Sequence, residues 1–172
     1  MEDKVTVSQI GLRYGIILGL IMIVYSLILQ FIGLATNNWA SSVSYIFLIA
    51  GMVMAHKAFK EGGDGFMRLG QGLGIGTLIG AVSGAISMIF SYLYIKFIDD
   101  SMMEMIQEKQ IEAMEKQGLD DAQIEKAMEM AEKFSGPEVI FGVGLLVFIF
   151  FGFVLSLIVS LFTRKDNPAL DV

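Results

Sequence analysis

Between Leu69 and Ile95 the chain carries no charged side chain, and Gly72, Gly76, Gly80 and Gly84 recur inside that stretch every four residues. A run of this length crosses a bilayer as one helix. At about 100° per residue the four glycines fall on one side of it, drifting only about 40° per step. Ser83, Ser87 and Ser91 project onto the same side, while Leu78, Ile79, Val82, Ile86, Ile89 and Phe90 cover the rest. In water each glycine costs a helix about 1 kcal/mol relative to alanine. In lipid the backbone has no other partner than itself, so the helix persists. Its bare strip then lets another helix approach backbone to backbone. These residues form the expected packing centre of a small polytopic membrane protein.

The same inference follows from the rest of the chain. Of 172 residues, 55% are hydrophobic, against about 45–50% in an ordinary soluble domain. The excess lies in long uninterrupted runs. Cysteine is absent, which excludes disulfides and thiolate metal sites. The formal charge is −6, and no basic patch exists to neutralise phosphates, so nucleic acid is not an expected partner.

Four spans are expected, about 12–35, 39–59, 70–97 and 137–163. Between Arg13 and Lys57 the stretch is too long for one helix, and TNNWASS (Thr36–Ser42) breaks it. Asn37 and Asn38 favour a turn, with Ser41 or Ser42 as the next cap. The second span has a short apolar core and relies on Lys57 and Lys60 reaching the headgroups. A signal peptide is the rival reading of the first span, supported by the small residues Gly33-Leu34-Ala35. The long apolar run and the weakly basic start oppose it. The loop KEGGDGFMRL (60–69) could form an anion-binding nest at Gly62-Gly63-Asp64-Gly65. Such glycine clusters far more often mark turns.

Residues 99–134 change character, with eleven acidic residues and four lysines among Met, Ile, Ala and Gln. The composition predicts a helical hairpin outside the bilayer, about 99–117 and 121–134. Gly118 ends its first helix. Asp120 and Gln123 have capping-box spacing, and Leu119 and Ile124 that of a hydrophobic staple. Ile106, Ala113, Met114, Ile124, Ala127, Met128 and Ala131 supply a thin apolar seam. Ser135 and Glu138 form a second box, with Pro137 in the first turn of the last span. The architecture expected is all-α, in three parts: spans one to three (1–98), the extramembrane acidic hairpin (99–134), and the last span with its tail (135–172).

Gly11, Gly15, Gly19 and Ser26 match Gly72, Gly76, Gly80 and Ser87 at a shift of 61 residues. Gly33 would continue the first strip. A duplicated hairpin gives such a pattern, and so does the ordinary abundance of glycine in membrane helices. The simplest expectation is that the two glycine faces meet each other. Gly152, Ser156 and Ser160 provide a third small-residue face in the last span.

Lys4, Arg13, Lys57, Lys60, Arg68, Arg164 and Lys165 flank the spans on one side, whereas the 36–42 turn has no Lys or Arg. The positive-inside rule then places both termini and the 60–69 loop in the cytoplasm and the hairpin outside. The localisation this implies is a multi-pass one with cytoplasmic termini. Trp39, Tyr45, Tyr92 and Tyr94 would form the outer aromatic belt.

Candidate chemistry is sparse. Glu104, Glu108 and Glu112 share a face and could hold Ca²⁺. A solvated face, partly relieved by the pairs Glu112–Lys116 and Glu129–Lys133, is the favoured reading, since no EF-hand loop exists. Met102, Met103, Met105, Met128 and Met130 offer thioethers to Cu(I), or serve as flexible filler. His56, the sole histidine, is expected as an interfacial side chain beside Lys57. The middles of the spans lack Asp, Glu, Lys and Arg, unlike ion-coupled pumps. No catalytic, metal or cofactor site is expected.

The segments GLRYGIILGL, YIFLIAGMVMAHKAFK and GGDGFMRLGQGLGIGTLIGAVSGAISMIFSYLYIKFID, with the acidic helix before a last span, resemble a bacterial membrane family. It is known as domain of unknown function 4199. The resemblance implies about four spans and no assigned activity. Two functions remain. One is a non-enzymatic bundle that contacts lipid and associates with itself or a membrane-protein partner through its bare faces and hairpin. The other is a small transporter or channel lined by Ser83, Ser87 and Ser91.

Overall fold

The computed structural model describes residues 5–35, 37–98, 101–133 and 137–167, with the side chains of 101–103, 105–106, 132–133 and 137–141 outside the description. Among the described residues there are six helices: α1 (Val7–Phe31), α2 (Asn38–Glu61), α3 (Leu69–Phe97), α4 (Ser101–Lys116), α5 (Asp121–Lys133) and α6 (Pro137–Thr163). The only extended pairing among them is an isolated antiparallel bridge between Met67 and Lys165.

The ends of the helices follow from local chemistry. Thr6 starts α1 through a complete capping box with Gln9. Gly33, at φ +69°, ends it. The Leu34 amide reaches the Leu29 carbonyl and the Gly33 amide reaches Gln30, the paired bonds of a Schellman turn. The first span therefore stops four residues short of Ala35. Gly33 is a turn residue with nothing within 4 Å of where a Cβ would stand, and takes no part in the packing strip. The cap of α2 is Asn37, whose side chain accepts from the Trp39 and Ala40 amides. Ser42 instead donates to the Asn38 carbonyl inside the first turn. The expected serine cap is thus replaced by the asparagine just upstream. Asn presents its oxygen at the start of the helix without competing for an earlier carbonyl.

Among the described residues four helical segments are long and apolar enough to span a membrane: Val7–Phe31, Asn38–Glu61, Leu69–Phe97 and Gly142–Thr163. Leu20, Val24, Ile46, Met54, Phe150 and Phe162 stand exposed on them. In water such ridges would be driven inward. Against lipid tails they are in their own solvent. The chain is an all-α integral membrane protein.

Contacts divide the chain into two units, 1–87 with 145–172, and 88–144. The first unit holds a core of Leu18, Leu48, Met52, Ala55, Phe59, Met67, Ile75, Ile79 and Val159. Leu18 sits on Gly51 of α2, and the Tyr25 hydroxyl donates 2.7 Å to the Ala40 carbonyl. One end of this unit is closed by main chain: Met67 and Lys165 exchange amide-to-carbonyl bonds of 2.9 and 3.0 Å. Gly62–Gly65 are a turn there, with the Asp64 carboxylate accepting from the Phe66 amide.

In the second unit α4 and α5 form the acidic hairpin. Gly118, at φ +82°, closes α4 in another Schellman turn, Leu119 to Met114 and Gly118 to Glu115. Asp120 and Gln123 form both bonds of the capping box, at 2.8 and 3.0 Å. Ile124 is the buried residue of the seam. Leu119, Met114, Ala127, Met128 and Ala131 are half-buried, and Ala113 is exposed. Ile106 and the Ser135–Glu138 box fall outside the described side chains.

Candidate functional site

The glycine strip of α3 is filled by α6. A Cβ placed on Gly72 would stand 2.5 Å from the Ser160 hydroxyl oxygen, and one on Gly84 2.5 Å from the Phe148 Cβ. Gly76 lies directly against Ser156. At Gly80 the helices touch backbone to backbone, since its Cβ would lie 2.7 Å from the Gly152 Cα. The paired numbers rise on one helix as they fall on the other, so α3 and α6 are antiparallel. The contact is small residue on small residue, which maximises backbone approach where lipid removes the hydrophobic incentive to associate.

The glycine strip of α1 meets something different. Leu78 stands over Gly11, Val82 over Gly15 and Ile86 over Gly19, with Cβ atoms 2.7, 2.7 and 3.1 Å from where a glycine Cβ would be. The two glycine faces therefore do not meet each other. The bulky side of α3 enters the groove of α1, and the bare side of α3 receives α6. One helix can use two faces in this way because residues 78, 82 and 86 point well away from 72, 76 and 80.

Where α2, α3 and α6 converge, a polar cluster is buried. His56 is 0% exposed, which corrects the expectation of an interfacial side chain. Its Nδ1 lies 2.7 Å from the Thr163 hydroxyl and its Nε2 3.1 Å from the Gly72 carbonyl oxygen. The Ser156 hydroxyl donates to the same carbonyl at 3.0 Å. Thr163 in turn donates to the Val159 carbonyl at 2.8 Å. Ser160 is fully buried with its hydroxyl unbonded. Lys60, expected to reach the headgroups, turns inward and donates 2.9 Å to the Thr163 carbonyl. It thereby satisfies one of the open carbonyls at the end of α6 and sets a cation at the negative end of that helix. Lys57 stays exposed, 3.8 Å from Glu61.

Sequence reasoning missed this cluster because, among the described residues, His56 bonds to no acidic or basic side chain. The partners are a hydroxyl and a main-chain carbonyl, which no motif marks. One usable signal was the helical spacing of His56 and Lys60, which puts both on one face.

The three candidate serines separate. Ser83 is fully buried and donates 2.6 Å to the Ile79 carbonyl of its own helix. Ser87 is half-buried, its hydroxyl unbonded. Ser91 is exposed. In the hairpin, Glu104, Glu108 and Glu112 are all exposed. Among the described residues no three His, Asp or Glu side chains converge as a metal site would require. Met128 is half-buried and Met130 exposed, while the side chains of Met102, Met103, Met105 and Lys133 lie outside the description.

A family model described as protein of unknown function (DUF4199) matches residues 13–165, most of the chain. No curated protein matches, and no solved structure does.

Proposed function

This chain belongs to the DUF4199 family, and we propose that it is a non-enzymatic bundle protein of the bacterial inner membrane. Its role on this reading is association with lipid and with a second copy or another membrane protein. One observation carries the preference over a transporter: the strip of Gly72, Gly76, Gly80 and Gly84 is occupied along its length by Phe148, Gly152, Ser156 and Ser160 of the same chain. A solute pathway beside that strip would need α6 to withdraw. With the bare faces used internally, association falls to the exposed apolar ridges and to the acidic hairpin. The basic residues Arg13, Lys57, Arg68, Arg164 and Lys165 favour cytoplasmic termini and an outward hairpin.

A liposome assay separates the two readings. Vesicles carrying the purified protein should pass K⁺, Cl⁻ and glycerol no faster than empty vesicles, and Ser87→Ala should leave the traces unchanged. Protein-dependent permeation that Ser87→Ala alters would replace this reading with the transporter. Light scattering in detergent addresses association, for which a mass above one chain is expected.

A further inference from the structure

We propose that His56 is a buried proton-binding site, built so that the ring is fully hydrogen-bonded both with and without the extra proton. The Gly72 carbonyl can only accept, so Nε2 carries a hydrogen in either state. The partner of Nδ1 is a hydroxyl, which can donate or accept. With a neutral ring, the Thr163 hydroxyl turns its hydrogen to Nδ1. With a doubly protonated ring, Nδ1 donates to the same oxygen, and the hydroxyl turns its hydrogen to the Val159 carbonyl, 2.8 Å away. The ring's own hydrogen bonds are then kept on proton uptake by rotation about one C–O bond, with no heavy atom of His56 or Thr163 displaced. A histidine buried for packing alone needs only one such arrangement, because a ring nitrogen left unpaired in one of the two states is costly.

The surrounding charges give the site a consequence. Lys60 shares Thr163 with the ring, its amine on the carbonyl and the ring on the hydroxyl. Among the described residues no carboxylate engages the ring: Glu61 faces Lys57, Asp64 the Phe66 amide and Asp166 the Arg164 side chain. The other described charged or titratable groups of the neighbouring elements are Arg13, Tyr14 and Tyr25 of α1, Tyr45 of α2, Tyr92, Tyr94 and Lys96 of α3, and the exposed Arg68, Arg164 and Lys165 that flank α3 and α6. A proton on His56 therefore sets two cations on one residue. Lys60, half-buried on a flexible stem, is the one able to leave for the headgroups. That would free the last carbonyl of α6.

Because His56 is the sole histidine, ¹⁵N-histidine labelling reports it alone. The full chain in lipid nanodiscs is titrated between about pH 8 and 4, the range in which imidazoles change charge, with helicity followed by circular dichroism. At high pH the expected spectrum is a neutral ring with Nε2 protonated and Nδ1 accepting. Acidification should convert it to a doubly protonated ring while helicity is unchanged. Thr163→Ser should retain that conversion. Thr163→Val, which removes the reversible partner, should lose the doubly protonated form in the folded protein. Three results would overturn the proposal: a wild-type ring in one state throughout, a neutral ring protonated on Nδ1, or a Thr163→Val variant titrating like wild type. The wild-type titration decides the matter even where Thr163→Val does not fold.

Discussion

At the scale of single residues, what matters is how much room each glycine leaves. Gly70 has no atom within 4 Å of where its Cβ would be, whereas Gly80 would put one 2.7 Å from the Gly152 Cα. A backbone cannot move aside as the end of a side chain can. Gly80→Ala is expected to destabilise the bundle by about 1–3 kcal/mol, the usual cost of overpacking, and Gly80→Ile to abolish the fold. Gly70→Ala should change stability by less than about 0.5 kcal/mol, as surface substitutions do. Thermal unfolding in detergent would measure all three. Equal stability of Gly80→Ile and wild type would exclude the crossing at Gly80. The two glycines look alike in sequence apart from register. The strict spacing marked Gly80, but its partner was not legible, because any small-residue face could have served.

Among the elements, the hairpin shows how much of a helix is determined within a few residues. Both bonds between Asp120 and Gln123 and the turn at Gly118 were readable, since caps depend on neighbours in the chain and on little else. The pair Glu112–Lys116, 2.7 Å apart on an exposed face, is equally local. The hydrogen bond from Lys116, reinforced by its charge, holds the Glu112 carboxyl below the usual carboxylate range. The pairing therefore helps α4 above the ordinary carboxylate value. That help is lost as the pH falls through the depressed one. A ¹³C titration of the Glu112 carboxyl should show a midpoint below that of an unpaired glutamate, and Lys116→Met should raise it. Because both groups are exposed, the effect on overall stability should be barely measurable.

For the whole molecule, orientation can be tested because the native chain has no thiol. Glu115→Cys lies on the exposed face of the hairpin. In intact spheroplasts an impermeant maleimide should label it from outside. Labelling only after the inner face is opened would invert the topology. The proposed sidedness rests on the positions of lysines and arginines along the chain, and this labelling tests it.

By itself, then, the sequence determined the number of spans, the acidic hairpin and which helices carry small-residue faces. Hydrophobic runs and caps act over a few residues, and lipid leaves the backbone no alternative to helix. Tertiary structure alone decided which faces touch: α3 gives its glycines to α6 and its Leu78, Val82 and Ile86 to α1. It also brought His56 to Thr163 and the Gly72 carbonyl across 107 and 16 residues of chain. A main-chain carbonyl has no sequence identity, and a glycine strip accepts a serine, another glycine or a leucine with equal ease. Only the simultaneous packing of four helices selects among them.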